Sequence, residues 1–450
     1  LVRAASFQAE LARLRESDLV DYPGVAAAKG VVLEALYRSF CARHLAAATP
    51  RAAQFRAFQK AGGTPLRRHA LFEALQERFA RDTPPRFGWQ HWPDAYRDPG
   101  SAAVAAFEAA AIERVERNEY LQWQIHTQLA AAATRAAAAG ARVGLYQDLA
   151  VSADRGGAEV WSNRALYADA AVGAPPDDFA PQGQDWGLPP MLPERLIAAG
   201  YAPFIATLRA NMAHAGALRI DHVMGLARLF WIPPGGKAAE GTYVRYPFDA
   251  LLGIVTLESH RNRCVVIGED LGTVPDEVRE GLHRTGVLSY RLLPFEREAD
   301  GSFKAPDRYP PDALAACGTH DLPTIAGWWE GRDIALRSAL GLIADDAQRE
   351  AQLAARERDR TLLLDALSRA GLLPDGELDA EALALALQAY VASSNASIMV
   401  TQLEDAMGVG EQMNVPGTVD EHPNWRRRLP VAIEAFEGDA RLGRLCAAIG

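Results

Sequence analysis

Three acidic residues stand where short apolar runs give out: Asp221 after Ala-Leu-Arg-Ile, Glu269 after Val-Val-Ile-Gly, and Asp321 after Ala-Cys-Gly-Thr-His. Each has a polar neighbour. Arg219 lies two residues before the first, Asp270 follows the second, and His320 precedes the third. Strand side chains alternate faces, so Arg219 and Asp221 are expected to point the same way. An arginine on that face keeps a carboxylate ionised and oriented, which suits a nucleophile and suits a structural ion pair. Chemistry that wants carboxylates without metal or cofactor is glycosyl transfer. One carboxylate attacks the anomeric carbon, a second hands its proton to the leaving oxygen, and a third can hold sugar hydroxyls. Spacing assigns none of these roles. From the pattern alone, a metal-assisted hydrolase or an aldolase-type barrel stays open.

Such residues need a scaffold that gathers strand ends. From residue 142 onward, short apolar runs recur at 143–151, 218–226, 264–271, 287–295, 314–323 and 396–403. Helical stretches at 197–214, 249–262, 276–285 and, in pieces, 350–394 lie between them. Strand alternating with helix predicts a parallel α/β domain. Most runs carry polar residues at their C-terminal ends, the face on which a (β/α) barrel builds its active site. A doubly wound sheet also binds ligands there, but the chain has no G-x-G-x-x-G or Walker A sequence. A (β/α)8-type (TIM) barrel is therefore expected at 141–450, with a long functional loop at 152–196 and a helical insertion at about 324–395. Residues 1–140 read as a mostly helical subdomain inserted in that barrel, with helices near 8–15, 26–40, 71–81 and 101–139. The aromatic cluster at 86–93 admits two readings, a mini-core or a stacking surface for a flat ligand. Two tryptophans in the 152–196 loop, Trp161 and Trp186, could stack on sugar rings.

Composition narrows the class. The chain has 450 residues, 49% hydrophobic and 23% charged, with a net charge of −10 spread along its length, as in an ordinary soluble globular protein. It has no basic block with interleaved aromatics, so no nucleic-acid partner is expected. It has no apolar run long enough to span a membrane, and its first twenty residues do not read as a signal peptide. Four scattered cysteines without a C-x-x-C, and histidines without a close pair, predict free thiols in a reducing, cytoplasmic setting and no metal.

The stretches 217–225, 266–272 and 318–324 resemble the successive catalytic motifs of the α-amylase clan. Within it they are most similar to the amylomaltases or disproportionating enzymes, 4-α-glucanotransferases of glycoside hydrolase family 77. Segments 144–150, 173–177, 187–190 and 414–418 resemble the same family, and the likeness runs over about residues 85–430. It implies that Asp221 is the nucleophile, Glu269 the general acid and then base, and Asp321 the carboxylate that grips hydroxyls of the sugar at the cleaved bond. It also implies that Arg219 holds Asp221 ionised, that His320 binds the same sugar, and that Trp161, Asn414 and Pro416 contact substrate. Maltodextrins, maltose and glucose would be the substrates, with no cofactor. An α-glucan hydrolase of the same clan, a non-catalytic maltodextrin-binding protein and an inactive fragment are the alternatives. The chain departs from the pattern at its start. The family's first two barrel strands and its Ser-Pro-Tyr loop do not occur, so those strands are expected upstream of Leu1.

Overall fold

A computed structural model describes residues 1–176, 182–374, 376 and 378–450. Asp177, in the 173–177 motif, lies outside the described residues, as do positions 375 and 377 of the helical insertion. The named strands, in chain order, are β1 Tyr146–Leu149, β2 Ala171–Ala174, β3 Gln184–Leu188, β4 Ala217–Ile220, β5 Arg228–Ile232, β6 Thr242–Arg245, β7 Val265–Gly268, β8 Leu288–Leu292, β9 Ala313–Ala316 and β10 Ile398–Val400. Two compact units divide the chain. One comprises Lys29–Val287, the other Leu1–Ala28 together with Leu288–Gly450.

The Lys29–Val287 unit begins with helices. Thr49 caps helix Pro50–Phe79 by accepting the Ala52 N–H, and Pro50 at the first turn gives up no needed donor. Ser101 caps helix Ala102–Ala110 through the Val104 N–H, as its position before the alanine-rich stretch predicts. That stretch breaks at Ala111 and resumes as helix Ile112–Ala138. Its aromatic face joins Tyr120 and Trp123 to Tyr37, Phe40 and Phe55 in one buried cluster.

In the same unit β1, β4 and β7 pair in parallel, with Tyr146 opposite Ala217 and Ala217 opposite Val265. All four residues of the middle strand, β4, are buried, as parallel strands covered on both faces should be. Leu218 and Ile220 turn toward helices Ala202–Met212, Phe248–Asn262 and Asp276–Arg284, meeting Leu208, Met212, Leu252, Val255 and Val278. Each such fully buried side chain contributes roughly 1.5–3 kcal/mol. Arg219, between them, faces the other side.

The stretch 152–196 is more ordered than a long loop. It holds helix Ala158–Ser162, β2, β3 and helix Pro193–Ala198, and β2 and β3 join β5 and β6 in an antiparallel sheet of order β3-β2-β5-β6. Gly173 permits the β2–β3 approach: a Cβ there would lie 2.0 Å from the Gln184 carbonyl oxygen.

The other unit carries β8, β9 and β10, also parallel, with Ser289 opposite Ala313 and Leu314 opposite Ile398. Helices Asp346–Arg369 and Ala380–Ala392 cover β9, packing Leu363, Leu367, Leu387 and Tyr390 around Ala315 and Ile325. The N-terminal segment joins this unit through Val20, whose N–H donates to the Arg426 carbonyl at 2.7 Å. The six parallel strands fall within or at the edges of the six expected apolar runs. They are shorter than those runs, however. β9 stops at Ala316, so Asp321 sits in a turn beyond the strand and not on it.

Candidate active site

At the end of β4, Arg219 is 9% exposed and holds two carboxylates. Its Nη1 donates to Asp148 at 2.8 and 2.9 Å, and its Nη2 lies 2.7 Å from Asp221 Oδ1. Asp148 belongs to β1, so a guanidinium from one strand ties the ends of two neighbours. The Asp221 N–H continues the ladder to the Leu149 carbonyl at 2.9 Å. This fixes where the carboxylate leaves the sheet, and about a third of its side chain is exposed.

Glu269 stands one residue past β7, and its environment is the opposite. Only 8% exposed, it accepts the Leu271 N–H at 2.7 Å and the His222 N–H at 2.9 Å. Burial pushes its carboxyl above the usual range. The Leu271 N–H opposes that, the Asp221 charge adds to it, and Arg219 and the His222 N–H pull it back without restoring it. The His222 bond needs an unusual backbone: this residue is left-handed, with φ 46° and ψ 61°. Its ring is deeply buried, which with Arg228 nearby pushes its pKa down to about 4, and it meets the Trp186 ring edge-on at 5.2 Å. The imidazole is therefore neutral near pH 7.

Asp321 belongs to the other unit, in the turn after β9. Asn414 Nδ2 donates to its Oδ1 at 2.6 Å, and His320 Nε2 lies 3.3 Å from its Oδ2. Gln412, buried, donates through Nε2 to the Asp321 carbonyl at 3.0 Å and to the Asn414 carbonyl at 2.7 Å. The His320 ring packs on Trp425 at 4.8 Å, and Pro416 is exposed in the adjoining loop. Asn414 and His320 thus gather at Asp321.

Trp161 is not an open platform for a sugar. It has no exposed surface, packs on Phe72 and Trp92, and donates its Nε1–H to the Tyr96 carbonyl at 3.0 Å. It is a core tryptophan, and from the 86–93 cluster Trp92 is buried with it in a core built mainly by Phe72, Leu75 and Phe79, whereas Phe87 is exposed. Replacing Trp161 by alanine should cost ~3–5 kcal/mol of stability in denaturant unfolding, because it empties a packed site. A loss below about 1 kcal/mol would contradict its place in the core. Trp186, by contrast, is half-buried beside His222. Sequence spacing singled out neither Asp148 nor Gln412 nor Trp425, whose partners Arg219, Asp321 and His320 come from distant segments. The local signals for Asp148 were its place at the end of an apolar run and the 144–150 segment around it.

Among the described residues, no three His, Cys, Asp or Glu side chains are grouped as a metal site would need. No described helix is long and apolar enough to cross a membrane.

Parallel strands alternating with helices, and carboxylates just past their C-terminal ends, place the chain in the (β/α)8-barrel class of α/β proteins. It belongs to the 4-alpha-glucanotransferase family, glycoside hydrolase family 77, which matches residues 1–433. A 4-alpha-glucanotransferase of Haemophilus influenzae is 40% identical over 434 residues, covering 94% of this chain and 62% of that protein. One of Mycobacterium bovis is 39% identical over 448 residues, covering 96% and 59%. The chain thus spans about three fifths of the length of the curated relatives it matches. The crystal structure of amylomaltase from Corynebacterium glutamicum superposes with a TM-score of 0.85 at 33% identity, over 99% of this chain and 62% of that one. Amylomaltase from Streptococcus agalactiae in complex with acarbose shares the fold, with a TM-score of 0.75 at 22% identity over 96% and 79%.

Proposed function

We propose that the protein is a 4-α-glucanotransferase that moves α-1,4-glucan segments between maltodextrins, or to maltose or glucose, with retention. The observation that carries this reading is the contrast between two carboxylates of one unit. Asp221 is about one-third exposed against a guanidinium, whereas Glu269 is buried with its pKa raised. Environments that push a carboxylate pair apart in this way assign nucleophile and acid. Asp221 attacks the anomeric carbon as the glycosidic C–O bond breaks, and Glu269 gives its proton to the leaving oxygen. The covalent glycosyl-aspartate is then attacked by a sugar 4-OH, whose proton returns to Glu269. Two inversions keep the α linkage. Asp321, held by Asn414 and beside His320, is the third carboxylate, binding hydroxyls of the sugar at the cleaved bond. Arg219 orients Asp221, and Pro416 lies on the substrate loop. All four cysteines are free, which fits a cytoplasmic setting.

Incubation with maltotriose tests the reading. Transfer yields glucose and longer chains with the number of reducing ends unchanged. A steady rise in reducing ends identifies a hydrolase instead, and calorimetric binding without any turnover identifies a binding protein.

A further inference from the structure

The turn that carries Asp321 is held on its inner side by the segment that follows β10. Gln402 packs at the start of the turn, its Oε1 2.9 Å from where a Cβ on Gly318 would stand. Asp405, in the short helix Leu403–Ala406, reaches the end of the turn. Its Oδ1 accepts the Ile325 N–H at 2.7 Å, where helix Ile325–Glu330 begins. Thr324 serves the same helix separately, accepting the Gly327 N–H at 3.1 Å. Asp405 is 4% exposed. Among the described residues, the groups that act on it electrostatically are the Ile325 N–H, the Glu404 carboxylate and the Cys317 thiol beyond β9, none of them a cation. A carboxylate buried without a countercharge is costly to the fold. An asparagine could accept the same N–H without that cost.

We propose that Asp405 is a positioning residue for the Asp321 turn, its carboxylate form anchoring the Ile325 end and so fixing the aim of Asp321 at the sugar. The inference rests on Asp321 being the third catalytic carboxylate. Burial, opposed by the Ile325 N–H and reinforced by Glu404, lifts the Asp405 pKa to about 7. The anchor is therefore strongest above neutrality and loosens as the group takes up a proton.

The test compares Asp405→Ala, Asp405→Asn and Asp321→Asn in maltotriose transfer across pH 5 to 9. Removing the acceptor in Asp405→Ala should lower kcat about tenfold with KM changed less than about threefold, since misaimed groups act on the chemical step. Asp405→Asn, a neutral acceptor like the protonated acid, should give a kcat between those of Asp405→Ala and the wild type at high pH, and its kcat profile should lose an ionisation near pH 7. That variant also serves if the alanine protein does not fold. Wild-type kcat in Asp405→Ala, or an unchanged ionisation near pH 7 in Asp405→Asn, overturns the proposal. Near-normal transfer by Asp321→Asn overturns the assignment of Asp321 and this inference with it. A crippled Asp321→Asn beside an unaffected Asp405→Ala overturns the inference alone.

Discussion

Asp221→Asn should lower glucan transfer on the order of 10⁴-fold or more, because the amide cannot form the glycosyl ester that splits the reaction into two steps. Binding of maltodextrin should stay within about tenfold, since a nucleophile acts mainly in the transition state. The substitution keeps the shape of the side chain and its carbonyl oxygen toward Arg219, which retains Asp148 as its ionic partner. Folding should therefore survive, and calorimetry against transfer rate separates the two effects. Near-normal transfer by this variant would remove the nucleophile from Asp221 and, with it, the double-displacement mechanism.

Glu269→Gln should cost about 10³-fold in kcat with natural glucans, the usual range for a lost general acid. A glucosyl fluoride donor, whose leaving group needs no proton, should restore most of the first step. The wild-type rate should fall as pH rises through the elevated Glu269 pKa, and the glutamine variant should lack that limb. Stability falls over the same pH range. Between the unfolded and folded pKa values the native state binds more protons than the unfolded one. The favourable contribution is thus complete below the unfolded pKa and lost as pH rises through the folded one. Glutamine, never ionised, should melt higher than wild type on the alkaline side. Equal melting temperatures there, with an unshifted rate profile, would show that Glu269 is not the group that titrates.

The positions of Asp221 and Glu269 at strand ends were legible because each sits at the boundary of an apolar run that survives folding, whereas the turn between Ala316 and Asp321 was not. Asp221 and Glu269 follow β4 and β7 directly, and the alternation rule places Arg219 on the face of Asp221. The antiparallel sheet β3-β2-β5-β6 was not legible. Its strands are four or five residues long and broken by Gly173 and Gly187, and β2 pairs with a strand more than fifty residues away. Propensity windows cannot register pairing of that kind. Trp161 misled for a related reason. A tryptophan in a Gly-rich stretch reads as a platform, and only the tertiary arrangement puts Phe72 and Trp92 over it. Asp405 gave no signal, because burial makes it unusual and burial is not a local property of Leu-Glu-Asp-Ala.

The single guanidinium shared by Asp148 and Asp221 has an electrical consequence. Asp148 and Asp221 both draw on the Arg219 guanidinium, and the Asp221 carboxylate stands beside Glu269. An uncharged glucose ring gains little from these carboxylates, whereas a ring that has become a cation gains a great deal. When Glu269 ionises, it adds one more negative charge beside Asp221. Alkaline pH thus slows transfer by removing the acid, while the same change tightens the grip on a permanently cationic sugar mimic. Turnover and affinity for such a mimic are thereby set on opposite slopes of one ionisation.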